Sequence, residues 1–238
     1  MAGYMYLGSQ RVCPAVVSGG SEPTEYFTIK LPDSLKVLNF EGNVFSGQSV
    51  SYSGVGFPTI VFDFNKLEEV TSSGDLGMPL NSYKGNVIIK NIESLKVISG
   101  NFLQGFCDDA TLASGHGDIN FENLEEIGWM CMYNSFGMSG VTSIRFKKLT
   151  TIGSEGLYAL LQGINSDGST GVHVYFDAVN STTFEDEDEC LSGIFDGTSD
   201  CTLHFPSNVQ EYVEELIGYP NFGGTNTTIL YDLEPTEN

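Results

Sequence analysis

A ten-residue phrase is written twice in this chain, 25 residues apart, and no other feature limits the fold as much. Residues 119–128 read INFENLEEIG, and residues 144–153 read IRFKKLTTIG. The apolar letters and the final glycine are kept, while Asn120 is exchanged for Arg145 and Glu122 for Lys147. Relatives of the phrase stand at 62–70 (FDFNKLEEV), 88–98 (IIKNIESLKVI) and 174–182 (VYFDAVNST). Partial copies occur at 34–40 (SLKVLNF) and 203–209 (LHFPSNV). The anchors Leu35, Leu67, Leu95, Leu124, Leu149 and Val179 are 32, 28, 29, 25 and 30 residues apart. A constant phrase at unequal spacing points to stacked coils with insertions on one side.

Within a unit the residues alternate and then change step. Ile144 and Phe146 fall on one face of a strand; Ser143, Arg145 and Lys147 fall on the other. Leu149 and Ile152 follow at a spacing of three, which suits a tight bend with both side chains inward. In the second unit Lys90 occupies an apolar slot, so one extra residue is expected near Asn91, returning Val87 and Ile89 to the inner face. Gly128 and Gly153 are expected to supply positive φ at the bend. In residues 153–163 (GSEGLYALLQG), Leu157, Leu160 and Leu161 have the i, i+3, i+4 spacing of a short amphipathic helix. ISGNFLQGF and GWMCMYNSFG hold the same slot in their units. One such unit cannot bury its apolar face alone, whereas a stack can. The expectation is an α/β repeat solenoid with a parallel sheet on one face and short helices and loops on the other. The competing arrangement, an antiparallel sandwich, seldom keeps a bend motif after every strand.

Composition agrees with a turn-rich β protein: 28 of the 238 residues are Gly and only 17% are charged. The net charge of −21 repels polyanions, so neither nucleic acid nor an anionic membrane surface is an expected partner. No apolar run approaches the roughly 18 residues of a membrane span. The first twenty residues lack the pattern of a secretory signal, so synthesis and first folding in a cytosol are expected. Cys13, Cys107, Cys131, Cys190 and Cys201 form no CxxC pair and read as buried free thiols rather than disulfides or a zinc site.

No nucleophile elbow, phosphate loop, dinucleotide fingerprint or HExxH is present, and no cofactor or catalytic residue is expected. His116 lies in a Gly-rich loop, His173 begins a strand and His204 lies inside one. The acidic run EDEDE (185–189) offers carboxylates to Ca²⁺ but lacks the spacing and central Gly of an EF-hand, and reads as a solvated loop. No metal site is expected.

The units NLEEIGWMCMYNSF and KLTTIGSEGLYALL resemble the BspA-like leucine-rich repeats, whose units run F-x-N-L-x-x-I-G followed by an aromatic. The resemblance covers about residues 34–233, with longer insertions than the family shows. It implies strands on one face and short helices on the other. It also implies a closing unit: a strand at 203–206, a helix at 210–217 with Asn208 as its cap, an aromatic turn at 219–222 and a final strand at 228–233. The expected organisation is an attachment or capping segment (1–32), a solenoid (33–201) and a C-terminal cap (202–238). The opening YMYLGSQRV reads as a strand or short hairpin. It is similar to the openings of proteins carried by phages of gut bacteria.

The outward strand positions Asp63, Lys90, Asn120, Arg145, Tyr175 and His204 form the expected binding ladder, mixing both charges with an aromatic and a histidine. Such a row also serves simply to solvate a sheet. The function expected is a non-enzymatic structural and binding module of a phage virion, as a head or tail fibre. Its partners would be protein or glycan surfaces, including capsid or tail proteins, or further copies of the chain. The alternatives are a bacterial cell-surface or secreted adhesin, and a carbohydrate-active enzyme using outward carboxylates such as Asp63, Glu122 and Asp177.

Overall fold

The computed structural model describes residues 5–7, 10–12, 26–40, 50–52, 59–72, 83, 85–100, 102–107, 110–133, 135–136, 140–161, 171–183, 190–191, 193–194, 201–217 and 227–235. The first strands are β1 (Met5–Leu7), β2 (Gln10–Val12), β3 (Tyr26–Lys30), β4 (Val37–Phe40), β5 (Val50–Tyr52) and β6 (Thr59–Asp63). Next come β7 (Glu69–Ser72), β8 (Asn86–Lys90), β9 (Val97–Ile98), β10 (Thr111–Leu112), β11 (Asp118–Phe121) and β12 (Glu126–Ile127). The last are β13 (Ser143–Phe146), β14 (Thr151–Ile152), β15 (His173–Phe176), β16 (Cys201–Pro206) and β17 (Thr227–Leu233), with a helix α1 (Gln210–Ile217) before β17.

The repeated phrase folds as one coil of a parallel β-solenoid. Its alternating half is a strand of the front sheet; the residues after the bend form a shorter strand of a side sheet. The front sheet comes in two pieces, ordered β10-β8-β6-β3 and β11-β13-β15-β16-β17. The side sheet is ordered β14-β12-β9-β7-β4, and all of these pairings are parallel. The opening segment does form a hairpin pair: β1 is antiparallel to β2 and, on its other side, to β5.

The bend repeats hydrogen bond for hydrogen bond. The N–H groups of Glu68 and Glu69 donate to Lys36 O, those of Lys96 and Val97 to Glu68 O, and those of Glu125 and Glu126 to Lys96 O. Those of Thr150 and Thr151 donate to Glu125 O. Inside, the kept apolar letters stack on their copies. Phe121, Phe146, Phe176 and Phe205 form a column with centroid spacings of 5.0, 5.4 and 5.0 Å and planes within 14°. Leu67, Leu95, Leu124, Leu149 and Val179 are fully buried beneath the bends. The extra residue expected in the second unit is present. The offset between partners is 27 residues at Asp63–Lys90 and 28 at Glu69–Val97. It is absorbed where Asn91 takes a φ of 59° before a 3₁₀ turn, Ile92–Ser94.

Two expectations are corrected. Gly128 and Gly153 do not adopt positive φ; the left-handed residues of those turns are Met130 and Glu155. Glycine is required because the coils touch there. A Cβ on Gly153 would lie 3.0 Å from Gly128 C and Trp129 N, and one on Gly128 would lie 2.9 Å from Ser99 Cβ. Secondly, residues 153–161 form turns rather than a helix. Glu155 and Ala159 have φ of 53° and 51°, which interrupts any helical run. The N–H groups of Leu157 and Leu161 donate to Cys190 O and Ile194 O of the next coil instead of to their own turn. Leu157, Leu160 and Leu161 are buried all the same, so their spacing marked inward positions and not a helix.

The closing unit is present as β16, α1 and β17. Asn208 lies inside a 3₁₀ turn, Ser207–Val209, that runs into α1, and so does not flank the helix as a cap. The expected aromatic turn at 219–222 and the acidic run at 185–189 lie outside the described residues.

Candidate functional site

The front sheet presents its outward side chains as a ladder, and adjacent strands fix which residues meet. Asn120 pairs in register with Arg145, Arg145 with Tyr175, and Tyr175 with His204. Four of the six expected ladder residues therefore lie in one row. Asp63 and Lys90 pair with each other on the other piece of the sheet.

The row is held by contacts between neighbouring coils. Arg145 donates from Nε and Nη2 to the two carboxylate oxygens of Asp177 at 2.7 and 3.1 Å. Its guanidinium also lies 5.1 Å from the centre of the Tyr175 ring. A planar fork on a carboxylate with an aromatic face beside it fixes both distance and orientation. Tyr175 stacks on His204 at 4.2 Å, 15° from parallel. His204 is only 6% exposed. Its Nδ1 is 2.9 Å from Asp232 Oδ1, and its Nε2 is 2.9 Å from Nδ1 of His173. In that arrangement the Asp232 carboxylate accepts from Nδ1–H, and the two imidazoles share one hydrogen bond. Glu122 and Lys147 pair across the next rung at 2.6 Å. Asp118 accepts from the hydroxyls of Thr142 and Ser143, which hold its carboxyl below the usual carboxylate range.

Asp63 has different work. Its Oδ1 accepts from the Asn65 main-chain N–H at 2.8 Å and from Asn91 Nδ2 at 2.6 Å. Asn65 and Asn91 are both left-handed, with φ of 57° and 59°, so Asp63 pins two successive bends. Lys90 is exposed at the end of β8.

A second feature lies beside Asn120. The front sheet is broken between β8 and β11, and the break holds a cavity of about 340 Å³. Its floor is Ile89, Ile92 and Ile119; its rim is Glu93, Asp118 and Glu122, with His116 and Asn120. Ile92 and Ile119 are buried, while Glu93, Asp118, His116 and Asn120 are exposed.

Asp177 was expected only as an outward carboxylate of the glycosidase alternative, and Asp232 and the cavity were not expected at all. The first two follow from register, because Asp177 sits two positions beyond the partner of Arg145, on the same face. The cavity follows from a turn that no periodicity announces. Among the described residues no cluster of His, Cys, Asp or Glu has the geometry of a metal site, and no helix is long and apolar enough to cross a membrane. Cys107 and Cys131 are buried free thiols, Cys190 and Cys201 are buried as well, and Cys13 lies outside the described residues. Compared with protein-family models, with curated proteins and with solved structures, the chain matches none.

Proposed function

We propose that the chain is a non-enzymatic binding and structural module that presents the outer face of its front sheet to a protein or glycan surface. The observation that carries this reading is the in-register row Asn120–Arg145–Tyr175–His204, which lines up polar and aromatic groups over four strands. Stacked coils with few free side-chain torsions lose little entropy on docking to an extended partner. The outward carboxylates that a glycosidase would use are engaged elsewhere. Asp177 is forked by Arg145, Glu122 is paired with Lys147, and Asp63 ties two bends. The leucine-rich-repeat resemblance of the NLEEIG and KLTTIG units, and the phage-like opening, extend the reading to a virion head or tail fibre assembled in a bacterial cytoplasm.

The test is binding of the labelled protein to a panel of bacterial surface glycans, mucins and bacterial surface proteins. Wild type is compared with Tyr175→Ala and Arg145→Ala. Retention by at least one surface, lost in both variants while the circular dichroism is unchanged, is expected. Release of sugar from any glycan of the panel overturns the non-enzymatic reading. Mass spectrometry of purified phage particles tests the virion assignment through peptides of the 144–153 region.

A further inference from the structure

The break in the front sheet is where the solenoid departs from its own rule. Among the described residues, every other front-sheet strand pairs with that of the preceding coil. β10 begins to do so, pairing Thr111 with Asn86 and Leu112 with Val87. The Ala113 N–H then donates to Val87 O, and the next bond is a tight turn from the His116 N–H to Ala113 O, with Gly115 at a φ of 82°. When the chain straightens again as β11 it pairs only with β13, and not with the rest of β8. The side sheet has no such break, since β9 and β12 pair in register. The opening is thus a wedge, closed at the bend, where Asn123 Nδ2 donates to Glu93 O at 2.9 Å.

Strand parity shows what faces the wedge. Val87 O is used on the β10 side and Lys90 O on the β6 side, accepting from Phe64 N–H. Main-chain groups alternate sides along a strand, so those of Ile89 face the opening. On the far wall, Gly117 O and Phe121 O accept from the β13 side, which turns the main-chain groups of Asp118 and Asn120 inward. No main-chain hydrogen bond crosses between Ile89 and these two among the described residues. Two strand edges therefore flank an apolar floor of Ile89, Ile92 and Ile119 under a rim of Glu93, Asp118 and Glu122.

We infer that this wedge is a docking site for a short extended segment of a partner protein in which apolar and basic residues alternate. An extended segment supplies main-chain donors and acceptors to both edges, the mode of strand addition. Its alternate side chains point in opposite directions. One set enters over the isoleucine floor; the other meets the acidic rim. The cavity volume of about 340 Å³ lies at the lower end of ligand pockets, roughly 300–1,000 Å³. It therefore takes one or two inward side chains rather than a long strand. The chain's net charge of −21 favours a cationic occupant over an acidic one. This inference rests on the reading of the chain as a binding module, but it is centred away from Tyr175 and meets that row only at Asn120.

The test is calorimetric titration of the full chain with the blocked peptide Lys-Val-Lys-Val-Lys, against Glu-Val-Glu-Val-Glu and Lys-Ser-Lys-Ser-Lys. Saturable binding of the first alone is expected, with amide shifts at Ile89, Asp118 and Asn120 in the NMR spectrum. The double variant Asp118→Asn, Glu122→Gln should weaken it roughly tenfold and flatten its salt dependence. Ile89→Phe, which fills the wedge from a half-buried position, should abolish binding while Tyr175→Ala leaves it intact. Equal binding of the acidic or serine peptide, or unchanged affinity in Ile89→Phe, overturns the assignment. So does a concentration-dependent dimer that Ile89→Phe dissolves, since the occupant is then a second copy. A chain that holds a glycan or protein through Tyr175 but ignores the peptide overturns the wedge alone.

Discussion

Gly153 shows how a stack constrains one residue. Its place directly over Gly128 leaves 3.0 Å for a Cβ against main-chain atoms that no rotamer change can move. Gly153→Ala should therefore cost about 1–3 kcal/mol, the range for overpacking, read as a fall in urea midpoint at unchanged slope. Gly171→Asn is the control. Nothing lies within 4 Å of an added Cβ there, so its loss reports only the strain of a side chain held at a φ of 81°, with no steric clash. Glu68 makes the electrostatic counterpart. Hydrogen bonds from Lys36 and Lys96, each 2.6 Å long, hold its carboxyl down to about 2 from an ordinary 4.5. A folded value below the unfolded one means that its contribution is complete above 4.5 and is lost as the pH falls toward 2. Carboxyl NMR should give a Glu68 midpoint near 2. Glu68→Gln should remove that share of the acid-side loss in stability, and added salt should shrink the difference, because the three side chains are solvent-accessible.

At the scale of elements, the strands were legible because alternation and a kept phenylalanine report the same thing twice. Ile119, Phe121, Ile144 and Phe146 are all buried where the two-residue period puts them. The turns after Gly153 were misread because three buried leucines at helical spacing fit equally a chain that dips inward through left-handed residues, and φ is not written in side-chain polarity. Lys90 was read correctly because a charged residue in an apolar slot demands an extra residue nearby, and the shift in partner offset across the bend supplies it. The phenylalanine column makes this element-scale logic measurable. Phe146 lies between Phe121 and Phe176, fully buried. Phe146→Ala should cost about 3–5 kcal/mol, and Phe146→Leu distinctly less because it leaves a smaller cavity. Chemical denaturation of both variants checks the order, and equal losses would mean that ring stacking, rather than filled volume, dominates.

Over the whole molecule, sequence patterns disclosed the stack and its outward row but neither the ties within the row nor the broken sheet. Arg145–Asp177 and His204–Asp232 join residues 32 and 28 apart, distances that acquire meaning only once coil length and strand register are known. The wedge arises from the turn at 113–117 (Ala-Ser-Gly-His-Gly), whose composition is that of many loops. A stack of coils also has a thermodynamic signature, since each coil is stabilised by its neighbours and opening spreads from places with fewer of them. The buried thiols report it. Burial pushes the Cys131 thiol up to about 12 and Cys107 well above its ordinary range, so neither forms thiolate while its coil is closed. Cys131 lies in an inner coil: its carbonyl accepts from the Leu103 N–H on one side, while the Met132 N–H beside it donates to Gly156 O on the other. Cys107 lies in the preceding coil, where the Phe106 carbonyl accepts from the Phe136 N–H. Labelling at pH 8 in sub-denaturing urea, resolved by mass spectrometry of peptides, should modify Cys107 and Cys131 at different rates, because they belong to successive coils. If both react at one rate across the urea series, the solenoid opens as a single cooperative unit, and the neighbour-by-neighbour account of its stability is wrong.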